Sequence, residues 1–276
     1  TGRDVPAQII GRNGQMTRIL FLADMPSVGF KVFEVREHTG FQSLTSTGLR
    51  VTASSLENAR YRVNIDGNGD IGSIFDKEAK HELLKSPIRL EMRDDPSPDK
   101  PAWRILYETV TSPVREYPVK PVVRIVDRGP VRITLEVTRQ AGPSTITQRI
   151  SLTAGGDRVD VQNDIDWKST NTLLKAAFPF AATNSKATYD LGLGTIQRGN
   201  NHPDAYEVPA QWWADITDTG GSLAAAVLND SKYGWDRPAD NVLRLTLLHT
   251  PKPGEWPRPF YQSSQDLGRH RFVYSV

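Results

Sequence analysis

The sequence predicts an all-β protein, a large antiparallel β-sandwich, and three observations support that class. Runs in which apolar and polar residues alternate recur along the chain, as at residues 61–65, 131–138 and 159–167. This period of two is typical of strands with one face in a core and the other in water. No stretch of a dozen residues shows the 3.6-residue period of a helix. The 21 glycines and 19 prolines fall mainly between the runs, where we expect turns, so the strands are joined by short links.

The first part of the chain predicts only two strands, at residues 17–23 and 30–35. Two strands cannot bury a core of their own. We therefore interpret residues 1–48 as the end of a small β-domain plus a linker, or as an arm packed on the rest of the chain. The large sandwich is predicted over residues 49–276. Because the chain begins at Thr1 rather than at a methionine, we expect a processed protein or a piece of a longer one.

The sandwich is predicted to be built around residues 207–236, which contain the longest apolar run, 223–228, between a Gly-Gly and an Asn-Asp pair. A run of this kind is typical of a central strand buried on both faces. Trp212 and Trp213 are expected to be buried beside it. The remaining predicted strands are at residues 71–75, 88–92, 105–110, 122–126, 146–152, 243–248 and 271–274.

Composition excludes several classes of function. The net charge is +2 with no basic block, which argues against nucleic acid or an anionic membrane surface as a partner. No apolar stretch approaches the ~20 residues of a membrane-spanning helix. The absence of cysteine excludes disulfides, thiolate zinc sites and cysteine nucleophiles. It does not assign a compartment, and both the bacterial periplasm and the cytoplasm stay open.

Two short motifs resemble metal sites, and neither is assigned a metal. Residues 66–70 (DGNGD) begin like a calcium loop, but Ile71 stands where glycine is needed and Lys77 where a bidentate glutamate is needed. A hairpin turn between two strands explains the composition. His202 and Asp204 have a spacing seen at zinc sites, but no second cluster of ligands accompanies them, which favours a solvated loop.

No nucleophile or acid–base pair stands out. There is no Gly-x-Ser-x-Gly elbow and no phosphate-binding loop, although a triad assembled from distant residues stays open. The acidic row on the strand at 159–167 is interpreted as its solvated side. An aromatic loop at residues 251–261 fits either a carbohydrate contact or packing onto the sandwich. The other histidines, the acidic row and the loop aromatics are His38, His81, His249, His270, Asp160, Asp164, Asp166, Trp256, Phe260 and Tyr261.

A specific resemblance emerges from several stretches in a fixed order. They are LENARYRVNIDGNGDIGSIFDKE at 56–78, AFP at 177–179, EVP at 207–209, WAD at 213–215, LND at 228–230, KYG at 232–234, LTLL at 245–248 with Pro251, and DLGRHRF at 266–272. Together they resemble the C-terminal β-domain of the α-mannosidases of glycoside hydrolase family 38. The resemblance covers residue 49 to the end, about four-fifths of the chain. Residues 1–48 resemble the end of the small β-domain that precedes it in those enzymes.

The resemblance implies a galactose-mutarotase-like supersandwich and a division of labour. In the family the nucleophile, the acid/base and the zinc ligands lie on an N-terminal α/β barrel and adjoining helical bundle, where a retaining mechanism operates on α-mannosides. None of those motifs occurs here, so the resemblance implies no catalytic residue and no metal ligand in this chain. It also implies the parent's own catalytic domain and, through it, α-mannoside glycans as partners. Alone, the chain is expected to fold without stoichiometric zinc and without mannosidase activity.

Four residues are predicted to line the outer rim of the sugar site: Arg198, Tyr233, Trp235 and Asp236. Each can stack on or hydrogen-bond a hexose, and each flanks the central segment; structural packing or a surface ion pair is the alternative for each. Two other functions stay open. One is a mutarotase-like enzyme, which needs a histidine and a carboxylate converging on a concave face. The other is a free-standing carbohydrate-binding module.

Overall fold

The structure is a computed structural model that describes residues 4–36, 47–96, 101, 103–252, 265 and 267–276. Its strands are β1 (Ala7–Asn13), β2 (Met16–Phe21), β3 (Arg50–Val51), β4 (Ser55–Glu57), β5 (Tyr61–Ile65), β6 (Ile71–Asp76), β7 (His81–Glu82), β8 (Arg89–Asp94), β9 (Val119–Arg128), β10 (Arg132–Ala141), β11 (Ser144–Thr153), β12 (Asp160–Trp167), β13 (Thr172–Pro179), β14 (Ala187–Asp190), β15 (Thr195–Arg198), β16 (Val208–Pro209), β17 (Trp213–Thr217), β18 (Ala224–Asn229), β19 (Gly234–Ala239), β20 (Val242–Thr250) and β21 (Gly268–Ser275). A single five-residue helix, α1 (Tyr107–Thr111), is found among the described residues.

The strands form antiparallel sheets, which confirms the predicted all-β sandwich. The largest sheet has nine strands in the order β15-β14-β17-β18-β21-β12-β11-β10-β9. A five-stranded sheet has the order β16-β19-β20-β13-β8, a second has β3-β4-β5-β6-β7, and β1 and β2 form a hairpin. Buried side chains from the nine-stranded and both five-stranded sheets make one continuous core, for example Leu135, Leu174 and Val63.

The predicted centre of the sandwich was wrong in its detail. Most of the run lies in an interior strand, β18 (Ala224–Asn229), but its residues are buried only in alternation, and Leu228 is 38% exposed. Trp212 is 54% exposed and Trp213 is half-buried. The physical reason is that the outer face of the nine-stranded sheet is open to water here, and small alanines make up much of the run.

The strand buried on both faces is instead β13, in which all eight residues are buried. It lies between β20 and β8 in the five-stranded sheet. Leu174, Ala176 and Phe178 join the hydrophobic core, whereas Lys175 points to the opposite face. A lysine in the middle of the segment interrupts the apolar pattern, which is why periodicity did not predict this strand.

Two other predicted strands differ in the structure. Residues 30–35 form no strand, and Phe30, Val32 and Val35 are each more than four-fifths exposed, since nothing among the described residues pairs with them. The strand predicted at residues 105–110 is not formed, since residues 107–110 lie in helix α1. Two arginines from the five-stranded sheet donate to carbonyls of this segment, Arg244 to Val110 and Arg93 to Ser112, and so hold it on the sheet.

Among the described residues, the side chain of Gln8 ties the N-terminal hairpin to the sandwich. Gln8 Oε1 accepts hydrogen bonds from the backbone amides of Val131 and Arg132, at 3.2 and 3.0 Å. These amides lie at the start of β10, and Gln8 is buried there. The boundary between residues 48 and 49 stays a prediction.

The turn at residues 66–70 is a hairpin connection, as its composition predicted. Asp66 Oδ1 accepts from the amides of Asn68 and Asp70, at 2.8 and 3.0 Å, so the oxygen that resembled a metal ligand closes the turn. Gly69 has a φ of +78°, a conformation that glycine adopts without steric cost. Asp70 turns into the core, where its carboxylate pairs with buried Arg139.

The turn lies so close to the nine-stranded sheet that there is no room for a side chain at Gly69. A Cβ at Gly69 would lie 2.7 Å from Val137 Cγ1 and 2.9 Å from Pro121 Cβ. We expect Gly69→Ala to lower the free energy of unfolding by about 2–4 kcal/mol, the sum of left-handed strain and overpacking. Gly67→Ala is the matched control, because a Cβ there meets nothing within 4 Å, and it should change stability by less than about 0.5 kcal/mol. Urea unfolding of both variants measures the difference, and equal effects would contradict the packing argument.

Candidate functional site

Three of the four predicted rim residues line one cavity. Arg198 ends β15, and Trp235 and Asp236 lie on β19; all three contribute to a cavity of about 200 Å³. Tyr233 precedes β19, does not line this cavity, and is 50% exposed. The structure therefore brings together Arg198, Trp235 and Asp236, and leaves Tyr233 outside.

The cavity runs from an exposed loop to a buried floor. Its outer end is formed by exposed residues of the loop after β15, such as Asn200, and its inner end by Tyr189, Trp235 and Arg237, all buried. The rings of Tyr189 and Trp235 meet edge to face with centroids 6.5 Å apart. The Arg198 guanidinium lies 5.1 Å from the centre of the Tyr189 ring, within cation–π range.

Tyr189 is a hydrogen-bond donor across the physiological pH range. Burial raises the pKa of its phenol to about 12, against the opposing effect of the Arg237 charge. Its hydroxyl has no hydrogen-bond partner within the described protein. The cavity thus contains a neutral phenol whose donor is unused.

Asp236 is an ionised anchor at the cavity floor. Lys175 Nζ lies 2.9 Å from Asp236 Oδ1, and Arg244 Nε donates to both carboxylate oxygens at 3.0 Å. Asn201 Nδ2 donates to Oδ2 at 2.8 Å. Burial acts to raise the pKa of Asp236, but the charges of Lys175 and Arg244 outweigh it and the pKa is lowered. Both oxygens are therefore committed to protein donors.

Glu207 completes this cluster in a strained conformation. Its φ is +48°, which for a residue other than glycine costs on the order of 1–3 kcal/mol. The carboxylate lies over Gly234, where a Cβ would come within 2.5 Å of Glu207 Oε1. In this position it binds Lys175 Nζ at 2.5 Å and accepts a hydrogen bond from Thr246. The strain is therefore offset by a hydrogen bond and by a salt bridge to a buried lysine.

The cluster continues along the same face of the sheet to helix α1. Glu91 Oε2 accepts from Arg93 at 2.7 Å and from Arg244 at 3.3 Å. Arg244 also donates to the Val110 carbonyl at 2.7 Å. Three basic and three acidic side chains thus neutralise one another on the face of the sheet opposite the hydrophobic core. We call them the charged layer: Lys175, Arg93, Arg244, Glu91, Glu207 and Asp236.

Sequence reasoning missed every member of the charged layer except Asp236. The available signal was the alternation on β8, β13 and β20, where charged residues stand between core residues. Such alternation ordinarily indicates a solvated face, so it did not indicate burial.

The described residues do not fit a metal ion. No group of three or more His, Asp or Glu side chains among them is arranged to hold one. His202 Nδ1 lies 3.4 Å from Asp204 Oδ2 on an exposed turn, and the Asp204 amide points at the same nitrogen at 3.3 Å. Two ligands fall short of a zinc site, so no chemical step through zinc is derived for this chain.

One histidine does meet a buried carboxylate, which bears on the mutarotase-like alternative. His249 Nε2 contacts Asp95 Oδ2, and the Asp95 carboxylate is fully buried. Neither residue lines the cavity at Tyr189 and Trp235. His81 is exposed on β7, and His270 lies half-buried on β21. This pair does not meet the requirement of that enzyme class, because its carboxylate is fully buried and neither residue lines the concave surface of the cavity.

The remaining candidates from the sequence lie away from the cavity or outside the described residues. The acidic row lies on the solvent side of β12, as predicted: Asp164 pairs with Arg269 and Arg271, and the other two acids pair with basic neighbours. His38 and the aromatic loop residues Trp256, Phe260 and Tyr261 lie outside the described residues. In the part of the chain that is described, no helix has the length and apolar character needed to cross a membrane.

Removing the lysine of the charged layer should be costly. Lys175→Met leaves the buried carboxylate of Asp236 and the half-buried one of Glu207 without their shared cation, and we expect a loss of about 3–5 kcal/mol in the free energy of unfolding. Lys168→Met removes an exposed partner of Asp166 and should cost less than about 1 kcal/mol. Chemical denaturation distinguishes them, and a loss in Lys175→Met no larger than in the control would show that the layer contributes little.

The same variant should be more sensitive to acid. Since the pKa of Asp236 is depressed in the folded protein, its contribution is complete above the unfolded value of ~3.9 and is lost as pH falls through the folded value. Without Lys175, burial raises that pKa and the loss begins at higher pH. Stability measured from pH 7 to pH 3 should therefore fall earlier for Lys175→Met than for wild type or Lys168→Met. Parallel profiles would contradict this.

Comparison with known proteins places the chain in a family. Residues 56–257 match the model of the glycosyl hydrolases family 38 C-terminal domain. Alpha-mannosidase G of Dictyostelium discoideum is 26% identical over 235 residues, which are 80% of this chain and 20% of that protein. Alpha-mannosidase 2C1 of Homo sapiens is 27% identical over 238 residues, 80% of this chain and 21% of that protein. The chain thus spans about a fifth of the length of these relatives.

Solved structures agree on the fold. The crystal structure of an alpha-mannosidase from Enterococcus faecalis superposes with a TM-score of 0.71 at 14% identity, covering 99% of this chain and 35% of that one. A family 38 glycosyl hydrolase from Enterococcus faecalis gives 0.73 at 14% identity, with 99% and 37% coverage. The family match covers well over half of the residues, and its position agrees with the sandwich described above. The chain belongs to the glycosyl hydrolase family 38 C-terminal domain family.

Proposed function

We propose that this chain is the non-catalytic C-terminal domain of a retaining, metal-dependent α-mannosidase. The observation that carries the proposal is that 80% of the chain matches about a fifth of proteins named alpha-mannosidase. In the proposed parent, the catalytic groups and the zinc belong to an upstream catalytic domain. The parent hydrolyses α-mannosides, and this domain contributes rigidity.

The domain is suited to bracing a neighbour. Its core is continuous across three sheets, and the charged layer fixes α1 and the strands beneath it in one arrangement. The N-terminal segment presents exposed apolar side chains, including Phe30, Val32 and Val35, which an upstream domain would cover. The cavity with Arg198, Trp235 and Asp236 is proposed to face the rim of the sugar site, with Tyr233 on the adjoining surface.

Activity measurements test the division of labour. The 276-residue chain alone should contain no stoichiometric zinc and should not hydrolyse an aryl α-mannoside. The parent with its upstream catalytic segment should bind zinc and should hydrolyse that substrate. Deleting residues 49–276 from the parent should abolish activity through loss of folded protein. Turnover by the isolated chain that a chelator abolishes would refute the proposal.

A free-standing carbohydrate-binding module is the second candidate, because the cavity has aromatic walls at Tyr189 and Trp235. Calorimetric titration of the isolated chain with mannose oligosaccharides separates the two. Saturable binding, together with a parent reading frame that lacks a catalytic barrel, would favour the module.

A further inference from the structure

Several residues that line the cavity at Arg198 have buried polar atoms without a hydrogen-bond partner among the described residues. Among the described residues, the Tyr189 hydroxyl, Trp235 Nε1, and Arg237 Nε and Nη1 are buried without a hydrogen bond. All three residues line this cavity, and each is less than a tenth exposed. Buried polar groups in folded proteins are nearly always bonded, since an unmet one costs ~1–3 kcal/mol. Several at one cavity call for hydrogen-bond acceptors inside it, which either water or a bound ligand supplies.

The chemistry of these atoms restricts the ligand. Trp235 Nε1 and both Arg237 nitrogens can only donate, and the phenol of Tyr189 donates when a partner accepts. A ligand that satisfies them must therefore present acceptor oxygens. A ligand that is itself mainly a donor would leave the same atoms unmet.

The charge of the cavity favours an anion. Arg237 is buried, and its described hydrogen bonds go to the carbonyl oxygens of Asn184 and Asp240 rather than to a carboxylate. Burial lowers the pKa of Arg237, which reflects the cost of a charge held away from water. Arg198 adds a second guanidinium, whose Nη1 donates to the Pro209 carbonyl at 2.8 Å. An anion would compensate both charges.

The one carboxylate in the lining does not cancel this field. Asp236 is already neutralised by Lys175 and Arg244 in the charged layer, as described above. Asp236 still acts on Tyr189, and Asp240, outside the lining, acts on Arg237, so the two guanidinium charges are offset only in part. A bound anion would add to a site with an excess of basic groups.

The size and the walls restrict the ligand further. About 200 Å³ is below the ~300–1,000 Å³ of pockets for drug-sized ligands. Tyr189, Tyr206 and Trp235 contribute aromatic surface, on which the apolar face of a sugar ring can pack. A single ring that carries a carboxylate meets the demands of volume, donors and charge together.

We propose that the cavity formed by Tyr189, Arg198, Trp235 and Arg237 is a binding subsite for an acidic sugar, a hexuronate or a glycan residue of that kind. The carboxylate is held by Arg237 with Arg198, and the ring packs against the aromatic wall. The inference rests on the proposed function in so far as this cavity faces glycan, and it adds the class of sugar that the cavity selects.

Titration of the 276-residue chain with sodium glucuronate, glucose, mannose and sodium acetate tests the subsite. Glucuronate should bind more tightly than either neutral hexose by tenfold or more, since charged hydrogen bonds are worth about 1.5–3 kcal/mol and 1.4 kcal/mol is tenfold. Acetate should bind more weakly than glucuronate, because it lacks the ring. Equal binding of neutral hexose, or no binding of glucuronate, overturns the proposal; acetate binding as tight as glucuronate overturns its sugar part.

Variants locate the binding. Arg237→Gln should reduce glucuronate affinity by about tenfold or more, and two milder changes keep the test valid if that variant does not fold. Tyr189→Phe removes only a hydroxyl that has no partner among the described residues, and Arg198→Gln alters a half-buried side chain. Both should weaken glucuronate binding with little effect on thermal unfolding.

The matched controls are Tyr117→Phe and Arg158→Gln, at residues outside this cavity, and both should leave the affinity unchanged. Binding that survives the cavity variants, or that the controls weaken equally, refutes the location. Failure here leaves the α-mannosidase assignment intact, because that rests on the activity of the parent. Loss of the α-mannosidase assignment in turn would not alter these binding results.

Discussion

The architecture around the site depends on one buried lysine. Lys175 lies in the strand that is covered on both faces, and its ammonium joins the carboxylates of Asp236 and Glu207. Taking such a group out of water costs several kcal/mol, which only close opposite charges and full hydrogen bonding offset. The surrounding residues supply both. Glu207 adopts a left-handed conformation to reach the lysine, and Gly234 leaves the space for its carboxylate.

This requirement also explains the arrangement of neighbouring elements. Arg244 shares Asp236 with Lys175 and at the same time holds the Val110 carbonyl, so the short helix is anchored by the layer rather than by an apolar stripe. On the other side of β19, Trp235 is in the core while Asp236 belongs to the layer. The hydrogen bonds and ion pairs of the charged layer therefore hold Asp236 in place, which preorganises the groups that line the cavity.

The sequence predicted the class of the fold well because alternation reports directly on strands with one buried face. It identified β5, β10 and β12 closely in this way. It failed where a residue's polarity does not predict its burial. The alanine-rich run of β18 is apolar but exposed on one face, and β13 is buried although it contains Lys175. Local sequence patterns had the same limit at the candidate site. Trp235, Asp236 and Arg198 were selected because they flank the central segment. Tyr189 and Arg237 lie on β14 and β19, which belong to different sheets, and no local sequence pattern shows that the two meet.

The attachment of the N-terminal hairpin has a consequence for how this module is delimited. Gln8 supplies the acceptor for two amides at the head of β10, one of which, at Val131, is buried. A fragment that starts at residue 49 would leave those amides without an acceptor. This contact favours a unit that includes the first strand, β1, in addition to the sandwich predicted to begin at residue 49. Recombination or truncation inside residues 9–48 would remove Gln8, the side chain that accepts hydrogen bonds from two backbone amides of the sandwich.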